Sequence, residues 1–270
     1  MIAIAAGAVA LVPTPLTAVG LGLALFAAGC AIVLNRVQQW ILLGQICLVI
    51  GALMFGGGVI AYGAGSLASM LIVTGAFALA AIAARSSLLM ALAVLAASAC
   101  LGARTGYSHA LYSLAIFEPT LTVVLFSALA LIAYQASQRL PADYERLAIT
   151  AARTSLLLIN FGFWIGSLWG DPLMLLRSMN AKDASLDKTV IPATVFSILW
   201  AVVLLGAGIW AVQVNRRWLV NLVALFGGIH FYTQWFERLG ATPLSVLLGG
   251  VVMLASAFAL WMLKRRVLDA

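Results

Sequence analysis

Nine apolar runs, each closed by charge, glycine or proline, dictate what this chain can become. They cover approximately 15–34, 40–62, 66–84, 87–103, 110–134, 147–169, 190–213, 217–236 and 243–263. A helix needs ~20 apolar residues to cross the hydrocarbon of a bilayer, where every backbone N–H and C=O must find its partner inside the helix. Composition points the same way: 64% of the 270 residues are hydrophobic and 9% charged, where soluble domains carry ~25% charge. The chain reads as all-α, a polytopic transmembrane helix bundle of about nine spans and a single integral membrane domain over 1–270. No segment is left over for a soluble catalytic domain, so function must lie in the bundle or its connectors.

Orientation follows from lysine and arginine. With the Lys264-Arg265-Arg266 tail in the cytoplasm and nine alternating spans, ten basic residues fall inside: Arg36, Arg85, Arg139, Arg146, Arg153, Arg216, Arg217 and the tail. Five fall outside: Arg104, Arg177, Lys182, Lys188 and Arg238. Cytoplasmic loops carry the excess of positive charge, so the sequence predicts an outside N-terminus and a cytoplasmic C-terminus. The net charge of +7 is scattered in ones, twos and threes, which fits membrane orientation and excludes a nucleic-acid-binding patch.

The N-terminal segment 1–14 is apolar but has no basic leading region, and Pro13-Thr14-Pro15 follows it. It is expected to be a half-buried or interfacial helix rather than a signal peptide. Two connectors have substance. Residues 135–146 form a polar turn in which Pro141 starts a new helix, and 170–189 form the longest extracytoplasmic loop. Gly170-Asp171-Pro172 makes a sharp stop after Trp169, and Leu173–Leu176 suggest a short helix lying on the membrane surface.

Glycine and alanine crowd the early spans, at Gly51, Gly56, Gly57, Gly58, Gly63 and Gly65 and from Ala76 to Ala103. Gly162, Gly166 and Gly170 repeat every fourth residue. Small faces let helix backbones approach closely inside a membrane, so these are packing signals. Cys30, Cys47 and Cys100 lie in apolar segments without CxxC spacing and read as small core residues.

Polar groups inside apolar segments are the functional candidates, because an unpaired one costs several kcal/mol in hydrocarbon. Glu118 sits about a third of the way into the fifth span, next to Pro119, which is expected to kink that helix and free a carbonyl beside the carboxyl group. Two readings of Glu118 stand: a titratable group on a proton or ion path, or a neutral side chain bonded to a neighbouring helix. Asn160, Trp164 and Ser167 share one face of the sixth span and lead to Asp171. His230, Gln234 and Glu237 share a face near the outer end of the eighth span, flanked by Trp235 and Arg238. Interhelical hydrogen bonds and interfacial anchoring are the alternative roles for the same residues.

Metal binding would need His230 with Glu237, Glu118 or His109, and no segment carries a compact ligand pair. His109 and His230 are the only histidines and both fall on the outer side, which leaves bis-histidine haem ligation geometrically open, against the reading of His109 as a loop or helix-start residue. No serine or cysteine is placed for activation by a base. The sequence therefore predicts no catalytic residues, no metal and no cofactor, and leans away from an enzyme.

Glu118-Pro119-Thr120, the run Asn160–Asp171 and the run His230–Glu237 resemble uncharacterised bacterial multi-pass membrane proteins of a family known only as a domain of unknown function. The resemblance implies a bacterial cytoplasmic (inner) membrane and brings no activity. The predicted function is an outward-facing polar cavity that binds or transports a proton, ion or small polar solute. A non-catalytic subunit of a larger membrane complex, with other membrane protein subunits as partners beside the lipid bilayer, is the alternative. A third possibility is an enzyme acting on a lipid-borne substrate through Glu237, His230 or Asp171.

Overall fold

Apolar segments without water to bond must close their hydrogen bonds internally, and helices do this within one segment. The computed structural model describes residues 14–35, 38–108, 111–173 and 190–268 and is helical along most of them. The expectations for segment 1–13, for His109 and for residues 174–189 of the long loop lie outside the described residues.

The α-helices are α1 (Pro15–Leu34), α2 (Ile41–Tyr62), α3 (Leu67–Ala84), α4 (Ser87–Cys100), α5 (Pro119–Ser137), α6 (Ala142–Trp169), α7 (Ala193–Gln213), α8 (Arg217–Leu239) and α9 (Pro243–Leu268). Between α4 and α5 lies an antiparallel hairpin of β1 (Ala103–Ser108) and β2 (Leu111–Ile116), paired from Ala103↔Ile116 to Ser108↔Leu111. Among the described residues six helices, α1, α2, α3, α5, α6 and α7, are long and apolar enough to cross a membrane. Helix α4, with 14 residues, spans about 21 Å, short of the ~30 Å hydrocarbon core.

Internal packing divides the chain into two units. The first runs to Gly162; the second joins Phe163–Leu173 to the described residues from Val190 onward.

In the first unit, α1 and α2 meet backbone to backbone along glycines seven residues apart, Gly22 and Gly29 on α1 against Gly44, Gly51 and Gly58 on α2. A Cβ on Gly22 would stand 2.5 Å from Phe55 N, and one on Gly51 would stand 2.5 Å from Phe26 N. A Cβ on Gly29 would lie 2.6 Å from Leu48 N. The register is antiparallel, with Gly58 against Pro15 and Val19 at the far end. A seven-residue repeat keeps one stripe facing its partner over several turns, and without side chains the two backbones close to van der Waals contact. Only Gly22 and Gly29 of α1 are buried, so this stripe is how α1 is held. The core of the unit, Leu48, Ala52, Val73, Phe77, Ala81, Leu89 and Ala93, joins α2, α3 and α4.

Helix α3 ends at Arg85, whose φ of 50° lies in the left-handed region. Its guanidinium pairs with the Asp143 carboxylate and lies 5.7 Å from the centre of the Tyr144 ring, tying the α3–α4 turn to the start of α6. Side-chain hydroxyls inside the helices serve themselves: Thr74 donates to Met70 O, Thr154 to Thr150 O and Ser98 to Leu95 O. Such bonds let polar residues sit in an apolar helix without a neighbour's help.

In the second unit Phe196 of α7 packs edge-on against Phe163, ring centroids 6.5 Å apart. Trp200, fully buried, fills the α7–α8 interface against Phe226 and His230. The α7–α8 turn closes with Asn215 at φ 52° and Arg216 N donating to Ala211 O. Helix α9 is seated by Trp235, whose Nε1 donates to Ser245 O at 3.0 Å over the bare face of Gly249. Thr242 and Ser245 cap its start by exchanging backbone N–H bonds to each other's hydroxyls.

Two expectations require correction. The fifth apolar run is not one span from 110: its first part is strand β2, and the helix starts at Pro119. Pro119 accordingly kinks nothing. It occupies the first helical turn, where its missing N–H would have had no partner, and it keeps Glu118 extended at φ −126°, ψ 72°. The Glu118 carbonyl accepts from both Thr122 N and Thr122 Oγ1, so the proline frees no acceptor there. The remaining helices start and stop within a few residues of the expected runs. Helix α6 follows Pro141, and Gly170, at φ 73°, terminates it.

Candidate functional site

The candidates of the first unit are Glu118, Pro119 and Asn160. Glu118 is buried, 4% exposed, as the residue preceding α5. Asn160 is also buried, and its Nδ2 donates to Leu156 O at 2.8 Å, a bond within its own helix. Gly162 sets the contact between α6 and α5, facing Pro119 O, Thr122 and Val123.

The remaining candidates belong to the second unit. Asp171 is fully buried and holds the two ends of the long loop together. Its N–H donates to Ile191 O, its carbonyl accepts from Val190 N and Ile191 N, and its Oδ1 accepts from Leu173 N at 2.7 Å. These bonds make it a clamp on the loop. Trp164 is half-buried, whereas Trp169 is exposed at the helix end, where an interfacial aromatic would stand.

Helix α8 carries the most developed site. An open groove of about 450 Å³ runs along it, lined by His230, Phe231, Gln234, Trp235, Arg238 and Leu239, with Ser197 of α7 on the opposite wall. The positions follow from helix geometry: residues four apart stay on one face. His230, Gln234 and Arg238 form the polar edge, Phe231 and Trp235 the aromatic edge. Glu237, expected on the same face, is exposed and does not line the groove; the next residue, Arg238, does. A four-four step follows the groove where a four-three step was expected.

The electrostatics are one-sided. Among the described residues no acidic side chain lines the groove and Arg238 forms no ion pair. The His230 ring meets Trp200 edge to face, centroids 4.9 Å apart, and its Nδ1 is buried without a hydrogen-bond partner among the described residues. Trp235 spends its only donor on Ser245 O, so it offers the groove an apolar ring, 5.2 Å from that of Phe231. Among the described residues no three His, Cys, Asp or Glu side chains gather as a metal-binding group.

Several long apolar helices of this kind define a multi-pass helical membrane protein. Set against known protein families, curated proteins and solved structures, the chain matches none of them, so the motif resemblance places it in no family.

Proposed function

We propose that this protein resides in the bacterial cytoplasmic membrane with its N-terminus outside and C-terminus inside, and binds a small polar solute or ion in the α8 groove near the outer surface. The observation that carries the reading is the convergence of His230, Gln234 and Arg238 on one groove at the end of an otherwise apolar stretch. The Arg85–Asp143 pair supports the alternating topology. It joins the end of α3 to the start of α6, which favours an even number of crossings between them. Their shared side is the arginine-rich one expected to be cytoplasmic.

A groove-filling variant tests the binding reading. Purified protein in nanodiscs is screened by thermal unfolding against sodium, potassium, chloride, phosphate, acetate and decanoate, as wild type and as Gln234→Trp. Binding to the folded state stabilises it by about 2.7 kcal/mol at a hundred times Kd and so raises the unfolding temperature. A shift with one probe that the variant abolishes supports a solute site. No shift with any probe overturns it.

A further inference from the structure

We propose that the α8 groove takes an amphipathic anion, a carboxylate or phosphate on an apolar chain, with the anionic group on Arg238 and the chain along Phe231, Trp235 and Leu239. This rests on reading the groove as a binding site and narrows it to one ligand chemistry.

The lining residues decide the sign of the ligand. A cation would need carboxylates, and none of the described residues lining the groove carries one; Glu237, the nearest in sequence, does not line it. The guanidinium of Arg238 carries five donors and no acceptor, is exposed, and pairs with no carboxylate among the described residues. Gln234 adds an amide one turn away and His230 a ring two turns away, so the polar edge presents chiefly donors.

The other edge decides that the ligand has an apolar body. The Phe231 and Trp235 rings lie 5.2 Å apart and tilted by 39°, and Leu239 continues the apolar edge toward the helix end. With its Nε1 bound to Ser245 O, Trp235 cannot donate to a ligand and acts as a hydrocarbon surface. From His230 to Arg238 the groove follows α8 for about 12 Å, long enough for a medium acyl chain laid along the helix. Arg238 and Leu239 close the helix beside Gly240, where a headgroup would meet water. The anion can come from a phospholipid headgroup or from a free amphiphile.

The test uses the full chain in phosphatidylcholine nanodiscs. Decanoate and decyltrimethylammonium are titrated against tryptophan fluorescence, and native mass spectrometry compares retention of phosphatidylglycerol and phosphatidylcholine with the same acyl chains. Variants are Arg238→Gln, Arg238→Lys and the groove-filling Gln234→Trp, each checked by thermal unfolding.

The expected result is a preference of ten-fold or more for decanoate over the ammonium probe, or for phosphatidylglycerol over phosphatidylcholine. Arg238→Gln abolishes it and Arg238→Lys retains part of it. A decanoate response alone assigns a free amphiphile, and lipid retention alone assigns a headgroup. Equal binding of anionic and cationic probes, lost in Gln234→Trp but not in Arg238→Gln, overturns the anion assignment while the groove stands. No response to any probe or lipid overturns both.

Discussion

The His230 ring stands edge-on to Trp200, centroids 4.9 Å apart and planes at 79°. Trp200 is fully buried, so the imidazole that borders the groove is also part of the α7–α8 packing. Packing and binding are thus separable by substitution. His230→Phe keeps a ring against Trp200 and is expected to cost under about 1.5 kcal/mol, as shape-conserving core changes do. Trp200→Ala is expected to cost ~3–5 kcal/mol through the cavity it leaves. Thermal unfolding in nanodiscs measures both, and equal losses would sink the distinction.

The α1–α2 contact predicts a sharp contrast between neighbouring glycines. Gly51→Ala places a methyl 2.5 Å from Phe26 N, against backbone that cannot rotate away, whereas Gly57→Ala meets nothing within 4 Å. Gly51→Ala is expected to separate the two helices and reduce folded yield; Gly57→Ala is expected to match wild type. Fluorescence-detected size exclusion compares them directly.

Asp171 gives a prediction graded by chemistry. Asp171→Asn keeps an oxygen acceptor for Leu173 N, and Asp171→Ala removes it from a fully buried position. Orphaning the partly buried Leu173 N–H costs up to about 1–3 kcal/mol, so alanine should lower the unfolding temperature and asparagine should largely restore it. Equivalent behaviour of the two variants would show that the side-chain bond contributes nothing.

Trp235→Phe removes the bond to Ser245 O while keeping an aromatic ring over Gly249. The loss should be ~0.5–1.5 kcal/mol, the net value of one hydrogen bond. Native-state hydrogen exchange should show faster opening near the start of α9. Unchanged exchange there would argue that Trp235 does not seat that helix.

The topology is open to cysteine labelling. With Cys30, Cys47 and Cys100 replaced, Ala241→Cys should react with an impermeant maleimide on intact cells. Gln138→Cys should react only after permeabilisation. The opposite pattern would reverse the bundle and place the α8 groove on the cytoplasmic side.

The helices were legible because hydrocarbon leaves a backbone few options. Long apolar runs bounded by Gly170, Pro141 or Arg85 translate directly into helix starts and ends, since turn residues and charges act locally. Glu118 and Pro119 show where this stops. The apolar run Leu111–Ile116 fits strand or helix equally well by hydrophobicity, and only its pairing with Ala103–Ser108 makes it a strand. The proline was the available local signal, since it is as well suited to the first turn of a helix as to a kink. The glycines at 44, 51 and 58 were visible one by one. Their seven-residue spacing gains meaning only when a second helix, with Gly22 and Gly29, lies against it.

The same division runs through the candidate site. From the sequence alone came the polar character of the His230–Arg238 stretch, its place at the end of an apolar helix and the shared face of His230 and Gln234. Tertiary structure decided which neighbour completes that face: α7 packs against α8 through Trp200, turning Arg238 toward the groove and leaving Glu237 off it. One residue is a rotation of about 100° on a helix, and that rotation separates a groove lined by a carboxylate from one lined by a guanidinium. Periodicity fixes which residues share a side; only contact with a partner helix sets which side faces the site.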